Sequence, residues 1–145
     1  MIAIDFDETL NFSKKGKGDF VPNYDLIEIL KNKEFSVLTA RSESDENKEY
    51  VSSFLKKYFP EKYSDNLDGI NIFYTNGEPK GSYLKDNGFS VLVDDKDYQI
   101  SSAKEFGKDG FKPEDFIEKE SIKIKKAERR LGITKVYRKF KFNRL

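Results

Sequence analysis

Four short apolar runs, rich in β-branched and aromatic residues, recur along the first hundred residues of this chain. Runs of this length are typical of buried strands. Between them apolar residues take helical spacing, most clearly over residues 45–59. Strands that alternate with helices favour an α/β fold with a parallel, doubly wound sheet in three layers. The predicted strands are residues 2–6, 35–38, 70–74 and 90–93, and the predicted helices are residues 24–31, 45–59, 81–86 and 98–106.

The chain is long enough for one domain and carries its charge unevenly. Its 145 residues leave room for one sheet and a few helices. Residues 121–145 contain ten Lys and Arg residues and a single acid, Glu128. We therefore divide the chain into a domain over residues 1–120 and a basic, aromatic C-terminal extension over residues 121–145. In the extension, residues 121–131 are predicted to form a basic helix ended by Gly132, and residues 134–142 an extended segment.

Two residue types are missing, and their absence restricts the chemistry. The chain has no cysteine and no histidine, which excludes disulfides, thiolate and imidazole metal ligands, a cysteine nucleophile and an imidazole base. No apolar stretch is long enough to span a bilayer, and residues 2–4 are too few for the core of a signal peptide. We expect an intracellular, cytoplasmic protein that uses carboxylate, hydroxyl, lysine and arginine chemistry.

Reactive side chains follow every predicted strand. Ligands bind beyond the carboxyl ends of the strands in an open parallel sheet, so these side chains are expected to converge at one edge. Four carboxylates brought together would repel one another, and a hard divalent cation with oxygen ligands relieves that repulsion. The expected ion is Mg²⁺. The converging residues are Asp5, Asp7, Thr39, Arg41, Lys80, Asp94 and Asp95.

The spacing of Asp5 and Asp7 suits phosphoryl transfer. With a metal ion and a lysine to neutralise the phosphoryl oxygens, an aspartate can attack phosphorus directly. An aspartate two residues further along a strand points to the same face and can protonate the leaving oxygen. Because burial of unpaired carboxylates is costly, a metal or basic partner is expected here even if the site is not catalytic.

With these motifs the chain resembles the haloacid dehalogenase superfamily of aspartyl-phosphate phosphotransferases. The likeness is carried, in the family's order, by residues 5–10 (DFDETL), 38–41 (LTAR), Lys80 and residues 93–95 (VDD). It implies a phosphatase in which Asp5 is the nucleophile and Asp7 is first the general acid and then the base for water.

The same resemblance implies a metal site and a phosphoryl site. Mg²⁺ would be held by Asp5, by the main-chain carbonyl of Asp7, and by one or both of Asp94 and Asp95. Lys80 would balance the charge of the phosphoryl group and of Asp5. The residues implied for phosphoryl and substrate binding are Thr39, with Thr9, Ala40 and Arg41 beside it.

The chain has no room for the inserted cap domain with which members of this superfamily usually select substrates. By resemblance, an uncapped site goes with large substrates such as nucleic-acid ends or phosphoproteins. Residues 39–43 and 50–55 look like the phosphatase module of polynucleotide kinase-phosphatases and of small phage-encoded relatives. No Gly-x-x-x-x-Gly-Lys-Ser/Thr loop occurs, so no kinase activity is expected.

Two basic segments are candidates for binding a polyanion. One is the loop over residues 11–22; the other is the extension, in which bases alternate with aromatic residues. The alternatives are a solvated turn for the loop, and packing of the extension on the acidic body of the domain. The candidate nucleic-acid contacts are Lys14, Lys15, Lys17, Arg129, Arg130, Lys135, Arg138 and Lys139.

Three functions remain compatible with the sequence. The first is a magnesium-dependent phosphomonoesterase acting on a nucleic-acid 3′-phosphate or a similar large substrate. The second is a phosphatase of small metabolites or mononucleotides, with the loop at residues 14–17 as a minimal lid. The third is a non-enzymatic subunit of an assembly, such as a phage particle, that retains the fold.

Overall fold

Five parallel strands form one sheet with helices on both faces in the computed structural model of this chain, which describes residues 1–132. The strand order is β3-β2-β1-β4-β5. The predicted α/β class with a doubly wound, three-layer parallel sheet is confirmed. The strands are β1 (Ile2–Ile4), β2 (Phe35–Thr39), β3 (Ile72–Tyr74), β4 (Val91–Val93) and β5 (Asp109–Phe111); the helices are α1 (Tyr24–Leu30), α2 (Asp45–Tyr58), α3 (Gly81–Asp86), α4 (Asp97–Glu105) and α5 (Pro113–Leu131).

Side chains of the central strands point alternately to two apolar cores. Ile4, Val37 and Val93 face the larger core, which they share with α1, α2 and α5. Ala3 and Leu92, the preceding residues of β1 and β4, face the smaller core. Since both faces of the sheet are covered, the strands read as continuous apolar runs, which is why they were recognisable in the sequence.

The last strand and the start of the last helix were not predicted. β5 has the sequence Asp-Gly-Phe and lies at the edge of the sheet, paired with β4 alone, so no apolar run marks it. α5 begins at Pro113, eight residues before the predicted start, and ends as predicted at Leu131, with Gly132 in the left-handed region (φ 71°). The proposed boundary between residues 120 and 121 thus falls inside one continuous helix.

The crossovers from β1 to β2 and from β2 to β3 contain no inserted domain. Between β1 and β2 the chain forms a loop with a 3-10 turn at Lys14–Gly16, followed by α1; between β2 and β3 it forms α2 and a second 3-10 turn at Pro60–Lys62. In residues 1–132 no helix is both long and apolar enough to cross a membrane. The predicted extended segment at residues 134–142, with Lys135, Arg138 and Lys139, lies outside the described residues.

Candidate active site

The carboxyl ends of β1, β2 and β4 bring the predicted reactive residues to one edge of the sheet. Ile4 of β1 is in register with Val37 of β2 and with Val93 of β4. Asp5 follows directly, and its main-chain N–H still donates to the carbonyl of Val93 at 2.9 Å. Asp94 comes next after Val93. Asp5 and Asp94 are therefore placed side by side by backbone pairing alone.

Lys80 joins these two aspartates at the centre of the site. Its Nζ donates to Asp5 Oδ1 at 2.8 Å and to Asp94 Oδ2 at 2.5 Å. All three residues are buried, and Lys80 is only 1% exposed. Residues from three separate motifs, up to 89 positions apart in the chain, thus form one ion-paired group.

The charges of this group do not balance. Asp95 lies beside Asp5 and Asp94, so three carboxylates are gathered at a site that holds a single ammonium. Burial, with the nearby Asp94 carboxylate, raises the pKa of Asp5 to about 8 even though Lys80 acts in the opposite direction. Burial also raises the pKa of Asp94. Burial lowers the pKa of Lys80, but the carboxylates of Asp5 and Asp94 outweigh it and leave that pKa raised. The group therefore favours an additional positive charge, either a proton or a cation.

The arrangement of the carboxylates fits a divalent metal ion. Oxygens of Asp5, Asp94 and Asp95 all lie within 4.8 Å of one another. Asp95 Oδ1 is enclosed and has no hydrogen-bond partner among residues 1–132. Hard oxygen donors of this kind suit Mg²⁺. The side chain of Asp7 is not among these three carboxylates, and the role of its main-chain carbonyl as a ligand stays a prediction.

The two threonines of the motifs, Thr9 and Thr39, are buried. Thr9 Oγ1 donates to Asp5 Oδ2 at 3.0 Å, so this hydroxyl orients the carboxylate of Asp5. Thr39 ends β2, and its Oγ1 accepts from the N–H of Arg41 at 3.2 Å. Ala40, between Thr39 and Arg41, is exposed.

Asp7 is held by Arg41. The guanidinium donates from Nε to Asp7 Oδ2 at 2.9 Å and from Nη2 to Oδ1 at 2.8 Å, a two-pronged pair that fixes the carboxylate plane. Hydrogen bonding to Asp7 raises the pKa of Arg41. The predicted substrate contact Arg41 thus binds the predicted acid in this structure.

Two residues of α2 hold Arg41 in turn. Asn47 Oδ1 accepts from Nη1 at 2.9 Å. The ring of Tyr50 lies 4.9 Å from the guanidinium carbon, and the ring of Phe6 lies 5.4 Å from it, within the range of cation–π attraction. Asp7 is therefore tied to α2 through Arg41.

The lysine turn, residues 14–17, lies against Asp7. The carbonyl of Gly16 accepts from Arg41 Nη2. A Cβ at Gly16 would lie 2.7 Å from Asp7 Oδ1 and 2.8 Å from Arg41 Nη2, and Gly16 has φ +63°. Only glycine fits here without displacing Asp7 or Arg41. Lys14, Lys15 and Lys17 are exposed on the same turn.

Hydrogen bonds from Asn11 and Tyr50 close the loop that carries the lysine turn. Asn11, fully buried, accepts at Oδ1 from the N–H groups of Ser13 and Val21, and donates to the Tyr50 hydroxyl at 3.1 Å. That hydroxyl donates to the carbonyl of Gly18 at 3.1 Å. Because these hydrogen bonds hold the loop at both ends, the loop has a fixed position beside Asp7.

A cleft of about 210 Å³ opens beside Asp95. Phe12 and Lys112 line it, together with the first turn of α5. α5 runs away from this cleft, and at about 1.5 Å per residue Arg129 lies about 24 Å along the axis from Pro113. The structure therefore brings the lysine turn to the site, whereas it places Arg129 and Arg130, both exposed, at the far end of α5.

Several residues of the site carried no recognisable signal in the sequence. Asn11, Gly16 and Asn47 are polar or small residues in segments that read as a loop and as a solvent-facing helix side. Tyr50 belongs to the helical pattern of residues 45–59; its ring packs against the core, but its hydroxyl reaches the loop. The contacts of Gly16 with Arg41 and of Asn11 with Tyr50 join positions 25 and 39 residues apart, which no local pattern encodes.

No model of a known protein family matches the chain, and no curated protein matches it in sequence.

Proposed function

We propose that this protein is a magnesium-dependent phosphomonoesterase that works through a phospho-aspartate on Asp5 and acts on a large substrate such as a nucleic-acid 3′-phosphate end. The observation that carries the proposal is the buried contact of Lys80 with both Asp5 and Asp94, beside Asp95. A purely structural domain has no need to collect three carboxylates around one lysine. The four-part resemblance to the haloacid dehalogenase superfamily supports the same chemistry.

Mg²⁺ would be held by Asp5, by Asp94 or Asp95 or both, and by the main-chain carbonyl of Asp7. The bound ion supplies positive charge that offsets the negative charge of the phosphoryl group and of the carboxylates. Lys80 contributes a second, fixed positive charge at Asp5. Thr39, with the backbone at Ala40 and Arg41, would bind phosphoryl oxygens through the loop after β2.

In the first half-reaction a carboxylate oxygen of Asp5 forms a bond to phosphorus while the bond from phosphorus to the leaving oxygen breaks. Thr9 orients Asp5 for this attack by donating to its other carboxylate oxygen. Asp7 gives a proton to the leaving oxygen, which departs as an alcohol. Arg41 keeps the carboxyl group of Asp7 directed at that side of the site.

In the second half-reaction water attacks the phosphorus of the phospho-aspartate, and the bond from phosphorus to the oxygen of Asp5 breaks. Asp7 takes the proton from water, which returns it to its starting state for the next cycle. Inorganic phosphate leaves and Asp5 is regenerated as a carboxylate. The same residue thus acts first as an acid and then as a base.

Two features support a large, anionic substrate. Neither crossover contains an inserted domain that would close over a small molecule. The exposed lysines of the lysine turn lie next to Asp7, the side from which the leaving group departs, and their charges suit phosphates that flank a terminal phosphate. Because the loop is hydrogen-bonded at both ends, it is better suited to be a fixed contact surface than a lid.

The test is phosphate release from a 3′-phosphorylated oligonucleotide, a 5′-phosphorylated one, a mononucleotide and an aryl phosphate, each with Mg²⁺ and with EDTA. The variants are Asp5→Asn and, as a matched control, Asp97→Asn, whose side chain is 89% exposed. We expect hydrolysis of the 3′-phosphorylated oligonucleotide that is abolished by EDTA and by Asp5→Asn but kept in Asp97→Asn.

The other outcomes separate the remaining functions. Preference for the mononucleotide or the aryl phosphate would replace the nucleic-acid substrate by a small one while leaving the mechanism in place. Absence of turnover on every substrate, with stable co-purification in a large complex, would favour the assembly subunit. Full activity of Asp5→Asn would exclude the phospho-aspartate mechanism.

A further inference from the structure

Lys80 reaches Asp5 and Asp94 from a backbone position that its own helix does not fix. It immediately precedes α3, a helix of six residues, and provides no side-chain cap for it. Helices this short are marginal without outside support. A lysine stem has several rotatable bonds, so its ammonium is placed reproducibly only when the backbone is held. Something outside α3 must hold Lys80.

Two side chains of α4 provide this support. Gln99 Oε1 accepts from the main-chain N–H of Lys80 at 2.8 Å, and Ser102 Oγ accepts from the N–H of Gly81 at 2.9 Å. Both are buried and three residues apart, hence on one face of α4. The first N–H groups of a helix have no partner within it. Gln99 and Ser102 therefore cap α3 in place of Lys80, whose side chain is occupied in the site.

The contact between α3 and α4 is too close for any residue but glycine at position 81. A Cβ there would lie 2.5 Å from the carbonyl oxygen of Ser102 and 2.4 Å from the ring of Phe106. Such an approach brings the backbone of Gly81 within direct reach of the short Ser102 side chain. The start of α3 is thus pressed against α4.

The same helix also holds the partner of Lys80. Lys96, at the start of α4, donates its main-chain N–H to Asp94 Oδ1 at 2.9 Å. Asp94 and Lys80 are therefore both hydrogen-bonded to α4, Asp94 through Lys96 and Lys80 through Gln99. A single rigid element sets their relative position.

We propose that Gln99 and Ser102 are positioning residues that hold the backbone of Lys80 so that its ammonium meets Asp5 and Asp94. Gln99 is 1% exposed, and its Nε2 has no hydrogen-bond partner among the described residues. A leucine would fill similar space and remove the unpartnered Nε2, but it would leave the N–H of Lys80 without its acceptor. The amide oxygen that binds Lys80 is therefore what this position uses. The consequence for catalysis rests on the proposed function, whereas the placement of Lys80 does not.

The test compares Gln99→Leu and Ser102→Ala with Ser101→Ala, which makes the same hydroxyl deletion at the adjacent, exposed position of α4. We expect hydrogen exchange at the amide that loses its acceptor, Lys80 or Gly81, to quicken about tenfold or more. The amide of Asn87, which donates to the carbonyl of Tyr83 at the other end of α3, is expected to change little. In both variants kcat is expected to fall about tenfold while KM stays within about twofold.

A second measurement does not depend on turnover. The ¹⁵N signal of the Lys80 ammonium, held between two carboxylates, is expected in the wild type and in Ser101→Ala and is expected to be lost in Gln99→Leu. If the wild type hydrolyses no phosphate ester, the proposed function fails, and loss of this signal still supports the positioning role. Wild-type exchange and a retained signal in Gln99→Leu and Ser102→Ala would overturn it. So would an unchanged kcat in variants with faster exchange.

Discussion

Arg41 binds the carboxylate of Asp7, 34 positions earlier in the chain, through two hydrogen bonds of 2.9 and 2.8 Å. The pair connects the loop after β1 with the loop after β2. It gives Asp7 a fixed direction before any substrate arrives, which suits the proton-transfer role that we propose for this residue.

Arg41→Lys is expected to lower kcat about 10- to 100-fold with a smaller change in KM. Lysine keeps the charge, but it cannot donate the two parallel bonds that orient Asp7 or match the contact with Tyr50. Steady-state kinetics on the preferred substrate of the wild type measure this. Arg130→Lys, the same change at an exposed position on the far end of α5, serves as the control. Wild-type kcat in Arg41→Lys would show that Asp7 needs no such orientation.

Asp95→Asn is expected to weaken binding of Mg²⁺ or Mn²⁺ by at least the 10- to 100-fold that loss of an outer partner typically costs. Asp95 contributes an enclosed oxygen without a hydrogen-bond partner among residues 1–132, and an amide carries no charge for the ion. Metal-dependent rise in Tm, followed by titration, measures the change. Asp97→Asn should bind like the wild type. Equal affinity in the two variants would place the ion elsewhere.

Without metal, the protein is expected to lose stability as the pH rises from 6 to 9. The pKa of Asp5 is raised to about 8 in the folded state from 3.8. A folded state that binds a proton more tightly than the unfolded state is stabilised at low pH, and this stabilisation is lost as the pH passes through the raised pKa. Denaturant unfolding in EDTA at a series of pH values tests the slope.

The slope should become shallower in two ways. Asp5→Asn removes the titrating group, and saturating Mg²⁺ replaces the proton by a cation. Asp97→Asn should retain the slope of the wild type. A metal-free wild type whose stability is level between pH 6 and 9 would contradict the raised pKa.

Replacing Lys14, Lys15 and Lys17 together by glutamine is expected to raise KM for a 3′-phosphorylated oligonucleotide while leaving hydrolysis of an aryl phosphate nearly unchanged. If all three lysines contact phosphates, the salt dependence of oligonucleotide binding should become shallower by a log–log slope of about 2. Measurements of oligonucleotide binding and of KM at about 50 to 200 mM salt test both expectations. An unchanged salt dependence would show that the lysine turn is a solvated turn that does not contact the phosphates.

The matched variant for this experiment is Arg129→Gln with Arg130→Gln, which also removes positive charge but at the far end of α5. Since Arg129 lies about 24 Å along the helix from Pro113, substrates of a few nucleotides should not reach it. We therefore expect wild-type kinetics on short oligonucleotides. A rise in KM as large as that of the lysine variant would mean that distance from the site is not what distinguishes the two clusters of basic residues.

Much of the site could be read from the sequence because its parts are local. Asp5, Thr39 and Asp94 each end or follow an apolar run, and parallel strands bring their carboxyl ends to one edge. β5 was not predicted because Asp-Gly-Phe contains no apolar run. The start of α5 at Pro113 was not predicted because Pro113 and the acids after it were assigned to the domain over residues 1–120. The contacts of Asn11, Gly16 and Gln99 left no trace in any pattern.

By itself the sequence determined the class of fold, the order of the first four strands along the chain and the residue types that meet at one edge, because apolar periodicity and strand ends are properties of neighbours in the chain. Only the tertiary structure decided that Arg41 binds Asp7, that the lysine turn stands beside the site while Arg129 lies far from it, and that α4 holds Lys80. These relations depend on how helices and loops pack in three dimensions, where a hydrogen bond joins residues by distance and direction and not by their separation in sequence.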